Sequence, residues 1–206
     1  MGRKQGTPEY EFRTNCSMII RPILTPIAIV DSLSGREKLE RQRSTARRAL
    51  SMCAEQCGVP DGPWEQDANR VPLPNDGWYW SISHKPLLAG AVISEEPVGI
   101  DIEHIKPRGR EDLWDRLANA GEWKVAGERS WEMFFRLWTA KEATLKANSR
   151  GIGGFEECRI VAVPDSTHIE CEYGGQQWHI EQYYHAEHIA AVTAGSLDVE
   201  WHLEEL

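Results

Sequence analysis

A chain of 206 residues, 41% of them hydrophobic, is long enough to bury a sizeable core as one domain or two small lobes. Its net charge of −9 argues against nucleic acid as the main partner, because duplex binding rests on lysine and arginine neutralising phosphates. No apolar run approaches the roughly 18 residues of a membrane span, and no charged-then-apolar leader marks a secretory signal, so a cytoplasmic protein without a membrane partner is expected. Five cysteines, an odd number without metal-ligand spacing, fit a reducing compartment. Cys53 and Cys57, one helical turn apart, read as packing residues.

In chain order, residues 1–17 are polar and aperiodic and precede Met18-Ile19-Ile20, so they read as a disordered or expression-derived leader. Ile27 to Val30 suggests a strand, and Ser34 caps a long helix from about Arg36 to Cys57. Asp61 to Asp76, rich in Pro, Asn, Asp and Gly, is loop, and strands follow at Trp78 to Ser83 and Leu87 to Ser94. Next, Val98, Ile100 and Ile102 alternate with Gly99, Asp101 and Glu103, which sends both acids to one face of a strand. Ile105 to Arg110, with Pro107 and Gly109, is a natural boundary between units 18–104 and 105–206. A short helix near Asp112 to Ala120 and a long one from Ser130 to Asn148, ended by Gly151, Gly153 and Gly154, come next. Four or five alternating strands from Glu157 to His202 complete an α+β pattern.

Two segments carry chemistry. Gly99-Ile100-Asp101-Ile102-Glu103 offers two acids from a strand, and Trp138-Thr139-Ala140-Lys141-Glu142-Ala143-Thr144-Leu145-Lys146 offers a third with two lysines from a helix. Glu142 and Lys146 lie one turn apart, with Lys141 displaced by about 100° around the axis. Three carboxylates on two rigid elements suit a hard cation such as Mg2+, and nearby lysines suit phosphate. Each motif alone has a plainer reading, a solvated strand face or ordinary i,i+4 pairing. Upstream, Trp80-Ser81-Ile82-Ser83-His84 leads into an apolar run, followed at once by Lys85-Pro86, which can add charge or cap a turn. His179, His185 and His188 read as sheet-edge or solvent-facing residues, and Trp114, Trp123, Trp131 and Trp138 mainly as core.

In this order and at this separation the segments resemble the signature of the surfactin-synthetase-type 4'-phosphopantetheinyl transferases. That signature is a Ser-x-Ser-His box, a Gly-x-Asp-x-Glu strand and a helix opening Trp-(Ser/Thr/Cys)-x-Lys-Glu-(Ala/Ser) with a further lysine. The resemblance implies two similar lobes related by a pseudo-twofold axis, each a small, mainly antiparallel sheet packed on a long helix, with the active site in the cleft between them. A faint repeat agrees: Trp80-x-Ile82 before Ala91-Val92 returns as Trp178-x-Ile180 before Ala191-Val192. By the same resemblance Asp101, Glu103 and Glu142 hold Mg2+, with Mn2+ able to replace it. Ser83, His84, Lys85, Lys141 and Lys146 contact coenzyme A, joined by Arg47 or by its neighbours Arg43 or Arg48. Glu142 acts as base, directly or through water, and Lys141 or Lys146 stabilises developing charge.

The implied activity transfers 4'-phosphopantetheine from coenzyme A to a serine of an apo acyl or peptidyl carrier protein, releasing adenosine 3',5'-bisphosphate. One chain completes the cleft, so a monomer is expected. Two alternatives stand beside this reading. One is a noncatalytic module that binds coenzyme A or carrier protein, and the other is a Mg2+-dependent nucleotide phosphotransferase, which the absence of a Gly-x-x-x-x-Gly-Lys-(Ser/Thr) loop disfavours.

Overall fold

A computed structural model describes residues 19–28, 30–109, 112–149 and 154–205. The expected leader over residues 1–17, together with Ile29, Arg110, Gly151 and Gly153, lies outside the described residues.

The first layer forms around a helix whose start is written in its sequence. Ser34 accepts from the Glu37 backbone N–H while the Glu37 carboxylate accepts from the Ser34 N–H, a reciprocal capping box that opens α1 (Gly35–Gln56). Ala46, Ala49, Leu50, Cys53 and Ala54 recur at helical spacing and form its buried stripe. The stripe packs on a sheet of order β11-β2-β4-β3, made of β2 (Ile23–Pro26), β3 (Tyr79–Lys85), β4 (Leu88–Ser94) and β11 (His202–Leu203). The early strand lies at Ile23–Pro26 rather than at Ile27 to Val30, because Ile23 and Leu24 are fully buried and pair with Ala91 and Gly90 of β4. Cys53, within α1, and Cys57, at its C-terminal end, are both buried in the core of this layer, as packing residues.

The second layer is a five-stranded antiparallel sheet of order β5-β9-β8-β7-β6. It contains β5 (Ile100–His104), β6 (Arg159–Ala162), β7 (His168–Tyr173), β8 (Gln176–His185) and β9 (His188–Thr193). The Asp-x-Glu strand is thus hydrogen-bonded to β9, with Asp101 opposite Ala191 and Glu103 opposite Ile189. Ile100 and Ile102 turn the other way and meet Leu24, Leu88 and Val92 of the first sheet in a shared core. After β9 the chain returns to its beginning: β10 (Asp198–Val199) pairs parallel with β1 (Ile19–Ile20), and β11 pairs parallel with β2. These two-residue strands raise the described number after Glu157 to six, against the four or five expected.

The expected helix at Asp112 to Ala120 is two helices, α2 (Asp112–Leu117) and α3 (Ala120–Ala126). Asn119 breaks them apart because its side chain accepts from Gly121 and Glu122 N–H and so caps α3. The last helix, α4 (Trp131–Ala147), has Ser130 and Asn148 as caps, as the sequence indicates.

Helix α4 lies on β9 and β5 through Ala140, Ala143 and Ala147, small residues that recur along one side. At the entry to β5 the approach is closest. A Cβ on Gly99 would overlap the Ala143 carbonyl oxygen and stand 2.7 Å from the Ala147 nitrogen. Backbone atoms cannot yield as side chains can, so Gly99→Ala should lower stability by about 1–3 kcal/mol or more, read as a reduced denaturation midpoint. Gly109→Ala, where the new methyl meets nothing within 4 Å, is the matched control and should leave the midpoint unchanged.

Candidate active site

A cavity of about 760 Å3 lies where the two layers meet. Helix α1 contributes Arg43 and Arg47, the end of β3 contributes Ser83, His84 and Lys85, β5 contributes Asp101 and Glu103, and α4 contributes Trp138, Glu142 and Lys146. Three expected acids and most of the expected bases therefore share one space.

Strand β5 is an edge of the second sheet, and its outer N–H groups need partners. Two serine hydroxyls supply them: Ser81 Oγ accepts from Ile100 N–H and Ser83 Oγ accepts from Ile102 N–H, both at 3.1 Å. Ser83 also donates to Asp101 Oδ1 at 3.0 Å. A hydroxyl has one proton, so in this arrangement Ser83, on the cavity wall, orients the Asp101 carboxylate. On the far side of Asp101, Lys146 Nζ donates to Oδ1 at 2.7 Å and to the Ile100 carbonyl at 2.9 Å.

His84 Nδ1 lies 3.1 Å from the Gln42 side-chain oxygen, and the residue lines the cavity. Burial, then the charges of Arg43, Lys146 and Lys85, hold this imidazole below its ordinary 6.5, so it is neutral at pH 7 until an anion approaches. Of the three arginines weighed, Arg43 is exposed on the cavity wall. Arg47 also lines the cavity, but its guanidinium donates to the Trp64 carbonyl and Gln66 and stacks over Trp80. Arg48 points elsewhere and pairs with Glu204 at 2.8 Å.

The acids repel one another in a partly buried space. Glu142 is pushed up to about 7 by burial and by the Asp101 and Glu103 charges, against partial relief from Lys146. Glu103 is raised by burial and by Asp101, opposed by Lys85 and Arg108. Asp101 is 5% exposed, and its buried Oδ2 has no hydrogen-bond partner among the described residues. Three carboxylates and one orphaned oxygen suit a hard divalent cation in kind. In arrangement they are held apart: among the described residues no three His, Cys, Asp or Glu side chains close a metal cluster. Lys146 holds Asp101, and Lys85 and Arg108 hold Glu103 at 2.9 and 3.5 Å.

Lys141 is the clearest correction. One residue from Glu142 on the helix, it leaves the other side of α4, is 1% exposed, and pairs with buried Glu122 at 2.7 Å while donating to the Leu117 carbonyl. Glu122 also accepts from Asn119 and Ile160 N–H, so the pair ties α2, α3, α4 and β6 together. Lys141 borders a second cavity, with Phe155 and Trp138, and not the acidic one. His188 is likewise no solvent-facing residue: it is 3% exposed, donates from Nε2 to the Pro86 carbonyl and stacks on His104. Arg70 and Gln66, in the loop before β3, line the acidic cavity without any periodicity to announce them. Arg70 sits at φ 65°, a left-handed turn conformation closed by its N–H to the Asp67 carbonyl.

These features define an α+β protein with a cationic cleft floored by carboxylates. A model of the 4'-phosphopantetheinyl transferase superfamily matches residues 97–193, which contain β5, α4 and the strands that carry them. The chain is 31% identical over 139 residues to the 4'-phosphopantetheinyl transferase HetI of a Nostoc species, covering 60% of this chain and 59% of that protein. It is 31% identical to the 4'-phosphopantetheinyl transferase AcpT of Escherichia coli K12, over 62% of this chain and 66% of the relative. It is also 31% identical to enterobactin synthase component D of Salmonella typhi, over 66% and 60%. Over this region the chain is similar to the 4'-phosphopantetheinyl transferase superfamily. It spans less than two thirds of the length of these relatives.

Removing Lys141 leaves the Glu122 charge buried without its cation. Lys141→Met should therefore cost about 3–5 kcal/mol of folding free energy in urea titrations, the loss expected for a broken buried pair.

Proposed function

We propose that this protein is a surfactin-synthetase-type transferase that moves 4'-phosphopantetheine from coenzyme A to a serine hydroxyl of an apo acyl or peptidyl carrier protein. The observation that carries the proposal is the cavity itself. Arg43, Arg47, Arg70, Lys85 and Lys146 face Asp101, Glu103 and Glu142, so a chain of charge −9 concentrates a local excess of positive charge beside an orphaned carboxylate oxygen. Such a site fits a diphosphate bound together with a divalent cation.

Asp101, Glu142 and Glu103 are the residues that would hold Mg2+ or Mn2+, which neutralises charge on the diphosphate when bound. Arg43 and His84 lie where they can receive phosphate oxygens, and Lys146 stands beside Asp101 to meet charge that develops during transfer. Glu142, poised near neutral pH, is the candidate acceptor of the serine proton, directly or through water. The serine oxygen bonds to the phosphorus that bears pantetheine, and the bond from that phosphorus to the bridging oxygen breaks. Adenosine 3',5'-bisphosphate leaves with the bridging oxygen. The proposal extends to two lobes, 18–104 and 105–206, related by a pseudo-twofold axis. The hairpin β3–β4 under α1 and the hairpin β8–β9 under α4 support it. It also extends to a monomer that works in the cytoplasm; no helix among the described residues is long and apolar enough to cross a membrane.

Intact mass of an apo carrier protein, incubated with this chain, coenzyme A and Mg2+, should rise by one phosphopantetheinyl group and should not rise with EDTA. Asp101→Ala and Glu142→Ala should each abolish the gain while the protein stays folded. Near-normal transfer by both variants would overturn the mechanism, and coenzyme A binding without transfer on any carrier would favour a noncatalytic module. In calorimetric titrations with coenzyme A, Arg43→Ala should weaken binding by about tenfold, the loss of one charge-assisted phosphate contact. Arg48→Ala, whose guanidinium is engaged by Glu204, should bind as the parent does.

A further inference from the structure

The geometry points to Lys85 as a resident counter-cation of the acidic cluster, a lysine that withholds Glu103 from a divalent cation until a diphosphate draws its ammonium group away. The inference rests on the reading of the cavity as a diphosphate and metal site. Lys85 Nζ is 2.9 Å from Glu103 Oε1, and Arg108 Nη2 is 3.5 Å from Oε2, so both oxygens of a side chain only 5% exposed are occupied. Asp101 Oδ1 is taken by Lys146 and Ser83. What remains open to a cation is Asp101 Oδ2, buried and without a hydrogen-bond partner among the described residues, and the Glu142 carboxylate on the same cavity.

Charge makes the arrangement conditional. Lys85, Lys146 and Arg108 already balance Asp101, Glu103 and Glu142 in number. A divalent cation arriving alone brings two uncompensated charges into a partly buried space, whereas a cation arriving with a diphosphate does not. Lys85 is suited to change partners. Its side chain is 35% exposed on a flexible stem, while the backbone beside it is fixed by the buried His188 donating to the Pro86 carbonyl. Movement of the ammonium group from Glu103 to a phosphate oxygen would free a third carboxylate for the cation. Cation and diphosphate then favour each other's binding, and the coupling is reciprocal.

The test separates the two ligands and uses the full chain. Mn2+ binding without nucleotide is read from the electron paramagnetic resonance signal of the free ion. Binding of ADP, a nucleoside diphosphate probe, is read by calorimetry in EDTA. Lys85→Ser should tighten Mn2+ on the order of tenfold and weaken metal-free ADP, two shifts of opposite sign. Lys85→Arg, which keeps the charge, should retain the parent's weak Mn2+ binding, and Lys85→Gln should repeat the serine result if the serine variant unfolds. Mn2+ affinity unchanged or weakened in folded Lys85→Ser and Lys85→Gln would overturn the inference. The failure of the transferase reading looks different: no carrier is modified, yet the two affinities still move apart. Carrier modification with Mn2+ affinity indifferent to Lys85 would remove only the role of Lys85.

Discussion

The constraint on which the site rests is the approach of two backbones, where Gly99 enters β5 against the Ala143 to Ala147 turn of α4 and leaves no room for a Cβ. Everything at the site follows from that approach. The strand's acids and the helix's Glu142 can share one cavity only if the strand and helix axes lie nearer than any side chain at position 99 permits. Thr193 fixes the glycine from the neighbouring strand, accepting from its N–H and donating its own N–H to its carbonyl. The helix answers with alanines at the positions that face the sheet. The glycine of the Gly-x-Asp-x-Glu segment is therefore a packing requirement that serves the chemistry two and four residues later.

The other side of β5 is held by a different device. A sheet edge inside a protein must find hydrogen-bond partners, and here two serine hydroxyls of β3 replace a backbone ladder. The two sheets are joined by side chains across a seam that Leu24, Val92, Ile100 and Ile102 fill. One of those serines also sets the Asp101 carboxylate, so the joint between layers and the orientation of a site residue are one structure. Electrostatics completes it. Lysines lie on the acids, and the two acids that bear on Glu142 help raise it to about 7.

Much of this was legible in the sequence, and the limits were physical. Caps announced α1 and α4 to within a residue or two, since Ser34 with Glu37 and Ser130 each satisfy named backbone groups. Alternation placed Asp101 and Glu103 on one face. Alternation could not say which sheet β5 joins, because a strand buried on both faces pairs by long-range packing, here with β9. Lys141 was misread because its neighbour in a motif stands about 100° away on the helix, enough to send it into Glu122 rather than the cavity. Arg70 was missed because a loop turn, not a periodic element, carries it. The split at Asn119 was present in the sequence as Asn119 with Glu122, the same reciprocal cap that marks Ser34.

The pairing of β11 with β2, and of β5 with β9, has a consequence for how the chain is made. As the polypeptide emerges from the ribosome, α1, β3 and β4 are complete by residue 94 and β5 by residue 104, yet β5 must wait some eighty residues for the strand that closes its ladder. During that interval the acid-bearing strand has only the serines of β3 to occupy it, and its opposite edge is a template for any other extended segment. The first sheet waits longer still, because its outermost strand is supplied by residues 202–203. Vectorial synthesis thus leaves both layers open until residues 188–203 have appeared, and the cleft is assembled late relative to α1, β3 and β4.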